Sequence, residues 1–165
     1  MITISLCMIV KNEEKVLARC LDSIADLMDE IIIVDTGSSD NTKEIAKKYT
    51  DKIYDFAWID DFSAARNYSF SKATKEYIYV ADADEVIDAD NHRKLAELKE
   101  VLIPEIEIVQ MRYCNQLANG TAYNFDEEYR PKLYKRQREF TWIEPVHEMV
   151  RLDPVVYDSE IDILH

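Results

Sequence analysis

Apolar positions along the first hundred residues follow two alternating rhythms. "ITISLCMIV" (2–10) is a continuous apolar run with β-branched residues and no helical period, which predicts a buried strand. Val16, Cys20, Ile24 and Leu27, with Leu17, Leu21 and Met28, then recur at helical spacing, and Asn12 can cap that helix. "EIIIVD" (30–35) predicts a second buried strand and "TGSSDN" a turn. Asp40 or Asn41 can cap a helix carrying Ile45, Ala46 and Tyr49. "DKIYDF" is a short third strand, "DDFSAARNYSFSKA" a loop entering a helix, and "EYIYVA" a fourth strand. "NHRKLAELKEVL" predicts one more helix. Beyond it "EIEIVQMRYCNQ", "EEYRPKLYKR" and "EFTWIEPVHEMV" lean to strands, without long helices.

Strands separated by helices of this length require crossover connections. The expected fold class is therefore α/β, with a mostly parallel central sheet flanked by helices and a mixed or antiparallel C-terminal part. Open sheets of this kind bind ligands at the carboxyl ends of their strands. That rule selects Lys11 to Glu14 after the first strand, Asp35 to Asp40 after the second, and Asp82 to Glu85 after the fourth.

The last cluster, "VADADEVI" (80–87), is the most demanding, because like charges this close repel. One reading is a loop of solvated acids. The other is a pair of carboxylates sharing a divalent cation, Mg²⁺ or Mn²⁺, whose oxygen preference they suit. Asp35 reads as a turn acid or as an acceptor for a ribose hydroxyl or base N–H. Its turn lacks the GxxxxGK[ST] phosphate loop. Arg66 and Asn67 lie on a helix otherwise built of small and aromatic residues, and a guanidinium on its cleft side would suit a diphosphate.

Composition narrows the function. The 165 residues carry a net charge of −13, which disfavours nucleic acid as a partner. An anionic small ligand remains possible if a metal or a local basic cluster meets it. "RPKLYKRQR" (130–138), with five positive charges, is such a cluster. Three widely spaced cysteines, Cys7, Cys20 and Cys114, read as buried free thiols in a reducing compartment. No apolar run reaches the length of a membrane span. The amino terminus lacks the basic region and cleavage site of a signal peptide.

"ISLCMIVKNEEKVLARCLDSI", "DEIIIVDTGSSDNTKEIAKKY", "FAWIDDFSAARNYSFSKA" and "EYIYVADADEVI" together resemble successive motifs of the family 2 glycosyltransferases. They especially resemble the bacterial branch with W-x-D-D-F-S-x-A-R-N and D-A-D-E. The match runs in order over about residues 2–103 and continues more weakly through "YRPKLYKRQREFTWIEPVHE" to "ILH". The resemblance implies a GT-A-type, Rossmann-like fold, a nucleoside diphosphate sugar as donor (a UDP-sugar is the commonest choice), a divalent metal, and inverting transfer.

It also implies roles. Val10, Asn12, Glu13 and Asp35 match positions lining the nucleobase and ribose site, and Arg66 one that approaches the diphosphate. Asp82 matches the first acid of the Asp-x-Asp motif, near ribose and metal, and Asp84 the metal-binding acid. Glu148 in "PVHE" matches the catalytic base, with Glu144 its nearest competitor. Lys132 or Arg136 would help the metal and Arg66 stabilise the leaving diphosphate. His147 would orient the base or touch phosphate, and His165 would be a third metal ligand; a structural role is the alternative for each. His92 reads as exposed.

The expected organisation is a single domain over 1–165, with a nucleotide-sugar half (1–103) and an acceptor-side half (104–165). "ILH" falls where relatives usually continue, which fits a compact domain, a truncated chain, or an acceptor site completed by a homo-oligomer. The acceptor would be a glycan, a lipid-linked saccharide or a protein, met in the cytoplasm or at the inner membrane face during cell-surface glycan or glycoconjugate synthesis. The rival readings are a nucleotide-sugar-binding or assembly module without transfer, and a nucleotidyltransferase. The second is poor, because "VKNEEK" has none of the glycines such a loop needs.

Overall fold

A computed structural model describes residues 1–116, 122–123, 128–136, 142–143, 149–150 and 155–165. The first half alternates as expected: β1 (Ile4–Val10), α1 (Leu17–Ile24), β2 (Glu30–Asp35), α2 (Thr42–Ala46), β3 (Ile53–Asp55), α3 (Phe62–Lys72), β4 (Tyr77–Val80) and α4 (Ala89–Val101). Among the described residues there follow β5 (Ile108–Gln116), β6 (Ala122–Tyr123), β7 (Tyr129–Lys135), β8 (Trp142–Ile143), β9 (Met149–Val150) and β10 (Val156–Leu164).

The main sheet has the order β10-β5-β7-β4-β1-β2-β3, with β6 added on β5, while β8 and β9 pair separately. Strands β4, β1, β2 and β3 are mutually parallel, and β10 is parallel to β5. Along that path β7 runs against its neighbours β4 and β5, and β6 is antiparallel to β5. Two reversals restore direction, so β5 and β10 end at the same edge as β4, whereas β7 begins there.

Alternation along β1 sorts the core onto the two faces of this sheet. Leu6, Met8 and Val10 join Leu17 and Leu21 of α1 and Leu95 of α4 in one cluster. Cys7 points the other way, with Ile32, Val34, Ile78, Tyr134 and Trp142, against Tyr68 and Phe70 of α3. Small buried residues on α3, Ser63, Ala65 and Ser69, let that helix sit close to β1, where the Cys7 thiol donates to the Ser69 carbonyl at 3.5 Å. All three cysteines are free and buried, and burial pushes the thiols of Cys7 and Cys20 up to about 12.

The helix starts follow capping chemistry unevenly. Asp61 caps α3 through the Ala64 N–H, and Asp88 caps α4 through the Asn91 N–H. Asn12 does not cap α1, which begins without a side-chain cap at Val16. It stands instead at φ 53° and accepts from the Ser39 N–H at 2.8 Å, tying the loop after β1 to the loop after β2. His92 pairs with Asp26 on the surface at 2.9 Å.

Glu30 opens β2 as a buried acid. It accepts from Ser5 Oγ (2.5 Å), Lys52 Nζ (2.6 Å), the Thr74 N–H (2.9 Å) and Thr74 Oγ1 (3.0 Å), so it joins β1, β2 and the turn before β4. Burial opposes its ionisation, but the bonds from Lys52, Ser5 and Thr74 outweigh it and hold the carboxyl at about 2, against an ordinary 4.5. The stability from this depressed carboxylate is complete above about 4.5 and lost as pH falls through about 2. Glu30→Ala is therefore expected to cost about 2 kcal/mol at pH 7. Urea unfolding from pH 7 downward should show the gap to wild type closing between about 4.5 and 2; a gap constant over that range contradicts the assignment.

Candidate active site

The carboxyl edge gathers most of the residues singled out in the sequence. Val10 pairs with Asp35 across β1 and β2, so both strands end level. Asp35 is 1% exposed. Its Oδ1 accepts from the N–H groups of Gly37 (2.9 Å) and Ser38 (2.8 Å), which fold the turn back over the strand end. Gly37 takes φ 111°, a conformation that favours glycine. Asp35 Oδ2 is buried with no hydrogen-bond partner among the described residues, an acceptor left for a ligand donor. Val10 itself lies in the core, and its carbonyl accepts from Thr36.

The three acids after β4 each meet a different base. Arg66 Nη2 donates to Asp82 Oδ1 at 2.8 Å, Lys132 Nζ donates to both Glu85 oxygens at 2.7 and 2.9 Å, and His165 Nε2 lies 2.7 Å from Asp84 Oδ2. The loop closes on itself through Asp82 N–H to Glu85 Oε1 (2.7 Å) and Glu85 N–H to the Asp82 carbonyl (3.0 Å). Reciprocal backbone bonds between Val86 and Leu164, 2.8 and 2.9 Å, stitch it to the end of β10 and bring His165 to Asp84. Burial opposes the charge on Asp82, but Arg66 and Lys132 outweigh it and hold its carboxyl well below the usual range. Glu13 moves the other way: burial, then the charges of Asp84, Asp82 and Asp40, raise it.

Strand direction divides the basic cluster. Because β7 begins at the carboxyl edge, Arg130 lies there, while Arg136 falls at the opposite end of β4, with Nε on the Lys75 carbonyl at 2.6 Å. Arg136, offered as an alternative to Lys132 in stabilising the leaving diphosphate, is thus not brought to the site. Lys132 is at the site but committed to Glu85, both side chains being nearly fully buried. Arg130 is the residue missed in the sequence, since neither hydropathy nor charge distinguishes it from Lys132, Lys135 and Arg136 of the same cluster. Glu144, His147 and Glu148 lie outside the described residues. The segment leading to them is held by Asn67, whose side chain donates to the Trp142 carbonyl (3.1 Å) and accepts from the Trp142 N–H (2.9 Å).

A carboxylate and an imidazole held together suit a divalent cation. No group of three or more His, Cys, Asp or Glu converges on a metal position among the described residues. Asp84 and His165 offer one carboxylate and one imidazole, donors that could hold Mg²⁺ or Mn²⁺ only with further ligands.

Residues 5–150 match the family described as Glycosyl transferase family 2. The chain belongs to that family. It is 41% identical over 165 residues to the SPbeta prophage-derived glycosyltransferase SunS of Bacillus subtilis, covering 96% of this chain and 36% of SunS. Its fold is similar to that of Staphylococcus aureus TarS (TM-score 0.61, 20% identity, 81% of this chain and 47% of that one). It is also similar to glucosyl-3-phosphoglycerate synthase from Mycobacterium tuberculosis, solved in complex with Mn²⁺ and UDP-glucose (TM-score 0.56, 22% identity, 68% of this chain and 44% of that one). The mixed α/β sheet is of the GT-A type. The chain thus spans about a third to a half of the length of these proteins. No helix among the described residues is long and apolar enough to cross a membrane.

Removing one partner of a buried ion pair strands the other charge. Lys132→Met is expected to cost about 3–5 kcal/mol in urea unfolding, and adding Glu85→Gln to recover most of it. A single variant costing under about 1 kcal/mol contradicts the pair's role in holding the loop.

Proposed function

We propose that this chain is the donor-binding catalytic domain of an inverting glycosyltransferase that uses a UDP-sugar with Mn²⁺ or Mg²⁺. The observation that carries the reading is the convergence of Asp35, the Arg66–Asp82 pair and the Asp84–His165 pair on one sheet edge. Residues 1–103 form the donor half and 104–165 the acceptor side.

In this reading Asp35 Oδ2 accepts from the base or ribose, beside Asn12 and Glu13. Asp82, fixed by Arg66, faces the ribose, and the same guanidinium lies where a diphosphate would be met. Asp84 and His165, with Asp82 nearby, would hold the cation, which would supply positive charge for the leaving diphosphate. Glu148, or Glu144, takes the acceptor's proton as the new glycosidic bond forms and the bond to the diphosphate breaks, inverting the anomeric carbon; His147 orients that base. Asn67, by holding Trp142, sets where the base segment begins. The acceptor is a glycan, lipid-linked saccharide or protein, met in the cytoplasm or at the inner membrane face.

Calorimetric titration with UDP, with and without Mn²⁺, tests the reading. Wild type is expected to bind more tightly with the metal, and Asp84→Ala to lose that gain, at least about tenfold. UDP-glucose and UDP-galactose hydrolysis assays then report on sugar release. Binding that ignores both Mn²⁺ and Asp84 contradicts the metal assignment, and binding with no turnover in the presence of acceptors favours a non-transferring donor module.

A further inference from the structure

Three neighbouring strands, β10, β5 and β7, each send one side chain into a single stack beside the acid loop. His165 follows β10, and its backbone N–H donates to the Cys114 carbonyl at 2.8 Å, which places it next to Tyr113. The two rings lie 4.9 Å apart between centroids, tilted by 36°. From the strand on the other side of β5, the Arg130 guanidinium carbon stands 3.6 Å from the centroid of the Tyr113 ring. Arg130 is itself steered by Glu128, with Nε to Oε1 at 2.9 Å, and the Glu128 carbonyl accepts from the Tyr113 N–H at 2.9 Å. Tyr113 is 8% exposed, so its ring is a fixed surface, unlike a solvent-swept side chain.

We propose that Tyr113 is a positioning residue that holds the His165 imidazole with Nε2 facing Asp84, and that Arg130 braces Tyr113 from the neighbouring strand. The inference rests on the reading of Asp84 and His165 as metal ligands. A metal-binding imidazole performs best when its ring plane is set before the ion arrives, a task commonly shared by groups that never touch the metal. His165 needs such help, because it is more than a third exposed and stands just past the last residue of its strand. The offset, tilted ring pair is a favourable aromatic geometry, and a guanidinium over the ring adds a cation–π attraction. Strand pairing fixes the spacing: Leu164 opposes Cys114 in β10 and β5, and Arg130 opposes Met111 in β7 and β5. The stack therefore depends on sheet register more than on loop packing.

The test is Mn²⁺ affinity, read by electron paramagnetic resonance in the presence of saturating UDP, beside the His165 ring-proton shifts of the metal-free protein. Tyr113→Phe keeps the ring and is expected to match wild type. Tyr113→Leu is expected to weaken Mn²⁺ binding about tenfold and to abolish the upfield ring-current shift of His165, while UDP binding without metal stays unchanged. Arg130→Met, which removes a partly exposed charge and leaves the core intact, is expected to weaken Mn²⁺ two- to fivefold, roughly the strength of an accessible cation–π contact. Its effect carries the test if the leucine variant does not fold. His165→Ala separates the two claims. If His165→Ala loses Mn²⁺ affinity while Tyr113→Leu and Arg130→Met retain it, the positioning role is overturned and the metal assignment stands. If His165→Ala also binds Mn²⁺ as wild type does, the metal assignment fails and takes the positioning role with it.

Discussion

Carboxylates packed as closely as Asp82, Asp84 and Glu85 repel one another, and the carboxyl edge of the sheet is arranged around that repulsion. Each acid has its own base, drawn from a different element: Arg66 from α3, His165 from the end of β10, Lys132 from β7. The three pairs differ in burial, and that difference sorts their roles. Glu85 and Lys132 are shut away from water, so their pair fixes the loop and is unavailable to a ligand. The side chains of Asp82 and Asp84 remain about half exposed, so their partners orient them without hiding them. A loop that keeps two carboxylates accessible beside a third that is locked is well suited to share a cation.

Adjacent residues of α3 work in two directions. Arg66 reaches Asp82 in the acid loop, while Asn67 mimics a strand neighbour by both donating to and accepting from the backbone of Trp142. The Trp142 ring also meets Phe70 of the same helix edge-to-face, 5.9 Å between centroids, and lies 5.7 Å from the Arg66 guanidinium. One rigid helix, seated close on β1 by its small residues, therefore sets the spacing between the acid loop and the start of the segment carrying Glu144 and Glu148. Proximity in group transfer depends on such fixed spacing, since a misplacement of an ångström is costly.

The alternating elements of the first half were legible because buried parallel strands and amphipathic helices leave strong periodic signals, and the rule about carboxyl ends then pointed to Asp35 and the acid loop. The second half was legible as strands but not in their direction. Direction decided the fate of the basic cluster, in which Arg130, Lys132 and Arg136 sit within seven residues yet reach the site, the buried loop and the opposite sheet edge respectively. Neither hydropathy nor charge encodes that choice, which depends on β7 inserting between β4 and β5. Asn12 was misread as a cap for a related reason. Its partner, Ser39, is distant in sequence and adjacent only once β1 and β2 pair.

The most direct test of this account is an anomalous difference map from crystals soaked with Mn²⁺ and UDP. The account predicts one strong peak between Asp84 Oδ2 and His165 Nε2, the two atoms now 2.7 Å apart, which must separate to admit the ion. The diphosphate should complete its shell and the nucleoside should lie against Asp35. A metal peak away from the acid loop, or a nucleoside bound elsewhere than at the ends of β1 and β2, would contradict the account.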